Sequence, residues 1–213
     1  MSAIKRFNDP LSDEDLYWLG YLQADGHISS NGTLYFAQKH KEPVEAFAHY
    51  IGKDNVAHAV KSSTYGIQEV FSIGTSQPNL IKLGLKNEIR DDIYISKHFW
   101  RGMIDGDGCI VAYDNAGPHM NLCGRKEDID KFRDFVENLG LKSPTIVPRK
   151  TILYARLAGE TAAYLLWFLY YNQFSSLKYK KDRAIKAMAW RAKYPLKSSL
   201  SSELREEMNK CIQ

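Results

Sequence analysis

Cysteine is scarce in this 213-residue chain. Cys109, Cys123 and Cys211 make an odd number with no C-x-x-C pair, which excludes a disulfide framework and a zinc ribbon. Reduced thiols in an intracellular protein are the plain reading. Long apolar runs are missing too. "AAYLLWFLYY" at 162–171 falls well short of the roughly 20 residues that span a membrane and suits a buried helix. The opening "MSAIKRFNDPLSDED" has no apolar signal core, so secretion is not expected. The closing "KCIQ" lacks the His-Asn end of a self-splicing insert. No sign of charge dominates either: the net of +4 says little about partners by itself.

The charge that is present is unevenly placed. "KYKKDRAIKAMAWRAKYPLK", 178–197, carries eight Lys or Arg against one Asp, a local +7 that leaves the rest of the chain negative. A concentrated basic helix suits phosphate contact, with Lys186 and Arg191 as its candidates. A merely solvated helix face accounts for the charge equally well. Hydrophobic residues make up 44% of the chain, the share of an ordinary globular protein able to bury a core.

Two phrases repeat. "GYLQADG" at 20–26 and "RGMIDGDG" at 101–108 each end an apolar stretch in a small residue, an Asp and a Gly. Their aspartates, Asp25 and Asp107, stand about one small structural unit apart, which points to internal duplication. Around the first phrase, "SDED" is a capping box that starts a helix near Asp13, stopped at Asp25-Gly26 by a left-handed glycine. A hairpin follows around Asn31-Gly32, then a Pro43-started helix ended by Gly52. A second strand pair, "HAVKSS" and "IQEVFSIG", leads to a helix at Pro78. The second half repeats the order. Ser96 caps a helix, strands "CIVAY" and "HMNLCG" follow, and "KEDIDKFRDFVENLG" is helical by its Ile129, Phe132, Val136 and Leu139 spacing. "TIVPR" and "TILYARLAG" read as strands and "ETAAYLLWFLYY" as a helix. The expected architecture is α+β, two copies of one unit over 1–92 and 93–213, joined within 86–95.

In each copy small residues stand four apart, Gly20 with Ala24 and Gly102 with Gly106. Each helix thus offers a flat strip where another backbone can come close. Two such helices side by side bring Asp25 and Asp107 together. Both carboxylates then sit at the negative ends of helix dipoles and beside one another, which is unfavourable without a cation. Hard oxygen ligands, few in number and beside exposed backbone carbonyls (those of Ala24 and Gly106), favour Mg²⁺ that keeps part of its water shell. Asp-Gly as a simple helix stop is the plain alternative for either copy alone. An EF-hand is excluded, because twelve positions from Asp105 or Asp107 stand Ala116 and Pro118 rather than Glu.

The phrases "WLGYLQADG" at 18–26 and "WRGMIDGDG" at 100–108 resemble the paired signature of the LAGLIDADG homing endonucleases in single-chain form. The resemblance implies two αββαββα repeats about a pseudo-two-fold axis. Signature helices would form the interface, and curved antiparallel sheets would make a saddle on DNA. It makes Asp25 and Asp107 the catalytic metal ligands. Gln23 departs from the signature's first acid while Asp105 keeps it; neither is the metal ligand. "LKYKKDRA" at 177–184 places Lys180 at the catalytic lysine position, where it could steady charge on a phosphate under attack. Its first-half counterpart is Lys86 or Arg90. Gln38 takes the place of a water-ordering glutamine, and its second-half counterpart is Gly124 or Arg125, so the two sites are chemically unequal.

Strand alternation puts Leu34 and Phe36 toward the core and Thr33, Tyr35 and Ala37 on the other face, continued by Lys39. The same logic nominates Ser29, Asn31, Lys61, Ser63, Asn121, Arg149 and Arg156, with Arg125 beside them, for DNA contact. A two-stranded ribbon fits the major groove. The leading function is a Mg²⁺-dependent (Mn²⁺ substituting) site-specific double-strand DNA endonuclease. It would act as a monomer on a long asymmetric target and leave short 3′ overhangs. The alternatives are a maturase that binds intron RNA and a catalytically inactive DNA-binding protein of the same fold.

Overall fold

The computed structural model describes residues 6–63, 66–112, 117–174 and 177–191, with 201, 202, 204 and 206. The side chains at 61–63, 66–68 and 191 lie outside that description.

Helix α1 (Asp13–Asp25) starts at the capping box read from the sequence. Ser12 Oγ accepts from the Asp15 N–H at 3.1 Å, and Asp15 Oδ2 accepts from the Ser12 N–H at 3.0 Å. Strands β1 (Gly26–Ile28) and β2 (Leu34–Gln38) form the first hairpin. Its five-residue connection turns on Gly32, at φ +78°. Helix α2 (Lys41–Tyr50) follows, two residues ahead of the expected start, so Pro43 lies inside its first turn. Strands β3 (Ala57–Ser63) and β4 (Gly66–Thr75) and helix α3 (Pro78–Lys82) complete the first repeat. A 3-10 turn, Asp91–Ile93, leads to helix α4 (Lys97–Asp107), where Ser96 accepts from the His98 N–H. Then come β5 (Gly108–Val111), β6 (His119–Gly124), α5 (Lys126–Asn138), β7 (Thr145–Arg149), β8 (Ile152–Ala158), α6 (Gly159–Tyr170) and α7 (Lys178–Arg191).

Each half has one antiparallel sheet of four strands in the same order, β1-β2-β4-β3 and β5-β6-β8-β7. The registers superimpose: Gly26 opposes Phe36 as Gly108 opposes Leu122. Inner faces bury Leu34, Phe36 and Ile73 in one sheet and Met120, Leu122, Ala155 and Leu157 in the other. Helices α1 and α4 pack along their length at the centre. A Cβ on Gly20 would stand 2.0 Å from Phe99 O, and one on Gly102 would stand 2.0 Å from Tyr17 O. Tyr17 and Phe99 occupy equivalent places, each just before its phrase, so the contact is reciprocal, as a two-fold relation requires.

Helices α1 and α4 do not leave by left-handed glycines. Gly26 is extended at φ −72°, and so is Gly108 at φ −89°. Glycine stands there for room: a Cβ would meet Leu22 O at 2.6 Å or Ile104 O at 2.5 Å. The left-handed exits belong to Gly52 and Gly140, at φ +67° and +73°.

Candidate functional site

Close packing of α1 on α4 carries their C-terminal carboxylates to one place. Asp25 Oδ2 lies 3.1 Å from where a Gly106 Cβ would be, and that Cβ would overlap the Ala24 methyl at 2.3 Å. Burial pushes the Asp107 pKa up to about 6, and the Asp25 carboxylate adds to the rise. Asp25 is raised as well, by burial, while Gln38, Lys180 and Lys86 partly offset it. Gln38 Nε2 donates to Asp25 Oδ2 at 2.7 Å.

Two lysines complete the arrangement in matching ways. Lys86 Nζ donates to Gln23 O at 2.7 Å and Ala24 O at 2.8 Å. Lys180 Nζ donates to Ile104 O at 2.8 Å, Asp105 O at 2.6 Å and Gly106 O at 3.3 Å. Each thus gives a donor to the carbonyls that end its signature helix, and Ile104 O also accepts from the Gly108 N–H. Burial lowers both lysine pKa values, and the nearby aspartates pull them back up. Lys86 is therefore the counterpart of Lys180. Arg90 is an exposed clamp on Asp9 and Asp92 instead, at 2.7 Å to each.

The donor set suits a hard divalent cation: two carboxylates short of hydration, each raised in part by burial, with the Ala24 and Gly106 carbonyls beside them. Those carbonyls keep a second lone pair beyond the lysine bond. Among the described residues no group of three or more His, Cys, Asp or Glu side chains is placed to hold a metal; the acids here come as a pair.

The halves carry different side chains around the two carboxylates. Register makes Gly124 the equivalent of Gln38, so Asp107 lacks the amide that Asp25 has. Cys123 instead donates its thiol to Asp107 O at 3.3 Å. At the signature's first acid, Asp105 accepts from the Tyr17 and Tyr170 hydroxyls at 2.6 and 2.7 Å, whereas Gln23 faces Asp128 and Lys86.

The outer sheet faces carry much of the nominated polar set. His27, Tyr35 and Gly74 form one cross-strand row, and Tyr35 is 45% exposed over the glycine. Cys109, Asn121, Arg156 and Thr145 form the row on the second sheet. Arg149 is exposed, its guanidinium 5.4 Å from the Tyr154 ring centre, and Lys39 is exposed just past β2. A recess of about 490 Å³ opens beside the second row, lined by His119, Asn121, Lys142, Thr145, Arg156 and Thr161 among others. Its Lys142 and His119 were not visible in the strand pattern, because one lies in a loop and the other at a strand end.

Other nominated residues have protein partners. Ser29 and Asn31 build the hairpin turn: Ser29 Oγ shares its one proton between Asn31 Oδ1 and Thr33 O, and Asn31 Oδ1 accepts from the Thr33 N–H. Arg125 bonds Asp128, Lys86 O and Asn87 O rather than standing on a sheet face. In the basic helix, Lys180 is 4% exposed, Lys181 donates to Gln173 O, and Arg183 donates to Ile110 O. Lys186 is exposed. The side chains of Lys61, Ser63 and Arg191, and all of 192–197, lie outside the described residues.

No protein-family model matches the sequence, and no curated protein matches it. Solved structures do match in fold. Full-length DUF199/WhiA from Thermatoga maritima aligns over 96% of this chain and 69% of its own, at 10% identity and a TM-score of 0.57. The homing endonuclease I-WcaI bound to its DNA recognition sequence aligns over 81% and 85%, at 14% identity and 0.61. The meganuclease I-SmaMI bound to uncleaveable DNA aligns over 92% and 94%, at 11% identity and 0.56. With two matching sheets, two packed signature helices and these likenesses, the chain has the LAGLIDADG fold in its two-motif form.

Proposed function

We propose that the protein is a site-specific endonuclease that cuts both strands of a duplex DNA target. The observation that carries this reading is the meeting of Asp25 and Asp107, each carboxylate raised in pKa, with the half-buried Lys86 reaching one helix end and the buried Lys180 the other. A structural helix stop has no need of paired, poorly hydrated carboxylates. Asp25 and Asp107, with the Ala24 and Gly106 carbonyls, would hold Mg²⁺ or Mn²⁺. When bound, such an ion activates water and stabilises the departing 3′ oxygen.

The chain's own residues do the rest. Lys86 and Lys180 bring positive charge beside the carboxylates, where a phosphate under attack gathers negative charge. Gln38 fixes one Asp25 oxygen and leaves the other for the cation. The outer rows with Tyr35, Asn121, Arg149 and Arg156 offer polar groups suited to base edges and phosphates. One chain supplies two unequal halves, so the target is asymmetric and the protein works as a monomer; the resemblance to the homing endonucleases implies short 3′ overhangs. The two neighbours described as bound to DNA support a DNA partner.

The test is cleavage selection on a randomised duplex library with Mg²⁺. Wild type enriches cut sites of one sequence, and Asp25→Asn enriches none. Equal enrichment by both overturns the assignment of the site.

A further inference from the structure

Gln23 stands where the second signature has Asp105, and its side chain does different work. Its Oε1 accepts from the Lys86 N–H at 2.7 Å, and its Nε2 donates to Asp128 Oδ1 at 3.3 Å. Asp128 comes from α5 in the other half, is 3% exposed, and also accepts from the Tyr94 hydroxyl and Arg125 Nε, each at 3.0 Å. Arg125 returns to the first half: its two terminal nitrogens donate to Lys86 O at 3.1 Å and Asn87 O at 2.8 Å. Both polar groups of the Lys86 backbone are therefore held from outside, the N–H by Gln23 and the C=O by Arg125.

Lys86 needs that hold. It is a non-glycine residue at φ +64°, a conformation that persists only where surroundings impose it. In that conformation its ammonium reaches the carbonyls at the end of α1. Lys180 needs no such support, because it lies within the regular helix α7 and its N–H bonds Leu177 O. A carboxylate at position 23 would oppose the Asp128 carboxylate inside the protein; the amide gives Asp128 a donor and Lys86 an acceptor at once. The departure from the acid is thus matched to Asp128.

We propose that Gln23, Arg125 and Asp128 are positioning residues that hold Lys86 at the first-half site, so that one strand's cleavage depends on side chains from the opposite half. The proposal rests on the nuclease reading for its consequence but not for its geometry. Gln23→Glu and Arg125→Gln test it by two readouts. One is amide hydrogen exchange at Lys86 in the DNA-free protein. The other is the cutting rate of each strand, with Lys86→Met marking the strand that this lysine serves. In both variants the Lys86 amide should exchange about tenfold faster or more, while the Trp100 amide in α4 keeps its protection. The marked strand should be cut about tenfold more slowly, and the other strand at the wild-type rate. Unchanged Lys86 exchange, or equal slowing of both strands, overturns the proposal. If wild type cuts no duplex the nuclease reading fails, and the exchange readout still decides whether the hold on Lys86 exists.

Discussion

At Asp107, burial and the Asp25 carboxylate carry the pKa up to about 6, against roughly 3.9 for a solvated aspartate. Between those values the folded chain keeps a proton that the unfolded chain has released. Stability therefore falls as pH rises through about 4 to 6, and the full penalty, about 2–3 kcal/mol, stands above that window. Asp107→Asn removes the charge and should stabilise the cation-free protein at pH 7.5 by about 1–3 kcal/mol, with no gain near pH 4. Denaturant titrations at the two pH values check this; a gain of equal size at both would show that charge is not the cause. Adding Mg²⁺ should raise wild-type stability more than that of the variant. The same variant, like Asp25→Asn, should bind its target at least as tightly as wild type and fail to cut both strands. Lys180→Met should act differently. Its ammonium serves three carbonyls at the end of α4, so losing it should cost about 1–3 kcal/mol of stability as well as cleavage. Thermal unfolding measured beside single-turnover cutting separates the two effects.

Between elements the decisive contact is the α1–α4 seam. Gly20→Ala or Gly102→Ala would drive a methyl to 2.0 Å from a backbone oxygen of the facing helix. A backbone yields less readily than a side chain, so each should destabilise by about 3 kcal/mol or more. Gly106→Ala meets a methyl instead, that of Ala24 at 2.3 Å. Ala24→Gly should therefore recover much of the loss in the double variant, and a double-mutant cycle by chemical denaturation measures the coupling. Purely additive losses would place the clash elsewhere. Much of this seam was legible in the sequence, because the repeated spacing of small residues states where backbones can meet. The strand pairs and the hydrophobic face of α5 were legible for the same reason of period. Less local features were not. Lys86 and Arg90 lie four residues apart in an irregular segment, and only the tertiary structure shows which reaches α1. Gln23 read as a lost acid until Asp128, from the other half, supplied its partner. Gly26 was expected to turn left-handed, yet it and Gly108 make room over the preceding turn.

Taken as one molecule, the protein pairs two similar frames with unequal chemistry, and within the second half the cations divide by their protein partners. By charge count the segment 178–197 read equally well as a phosphate-binding surface and as a solvated helix face. Within it, however, Lys180, Lys181 and Arg183 donate to carbonyls of other segments, and Lys178 pairs with Asp182 at 2.7 Å. Cations that end a neighbour's hydrogen-bond ladder are less available to release counterions from DNA. Arg149 and Arg156 are exposed along the second sheet, as Lys178, Arg183 and Lys186 are on α7. Arg156 lies opposite both Asn121 and Thr145 in the ladder, and with Lys142 it lines the recess there. Affinity for the target should therefore weaken steeply with salt, and the slope of log K against log salt should shrink by about 0.9 for each of Arg149→Gln and Arg156→Gln that loses a phosphate. A variant that keeps the slope but loses about 1–3 kcal/mol of discrimination at one base pair marks that arginine as a reader of base edges. Lys181→Gln and Arg183→Gln should leave the slope unchanged and lower the unfolding midpoint. Binding isotherms at four or five salt concentrations, beside thermal unfolding, distinguish the two sets. If the slope follows the α7 variants and ignores the sheet arginines, the duplex lies against the helix, and the outer face of the second sheet is not its seat.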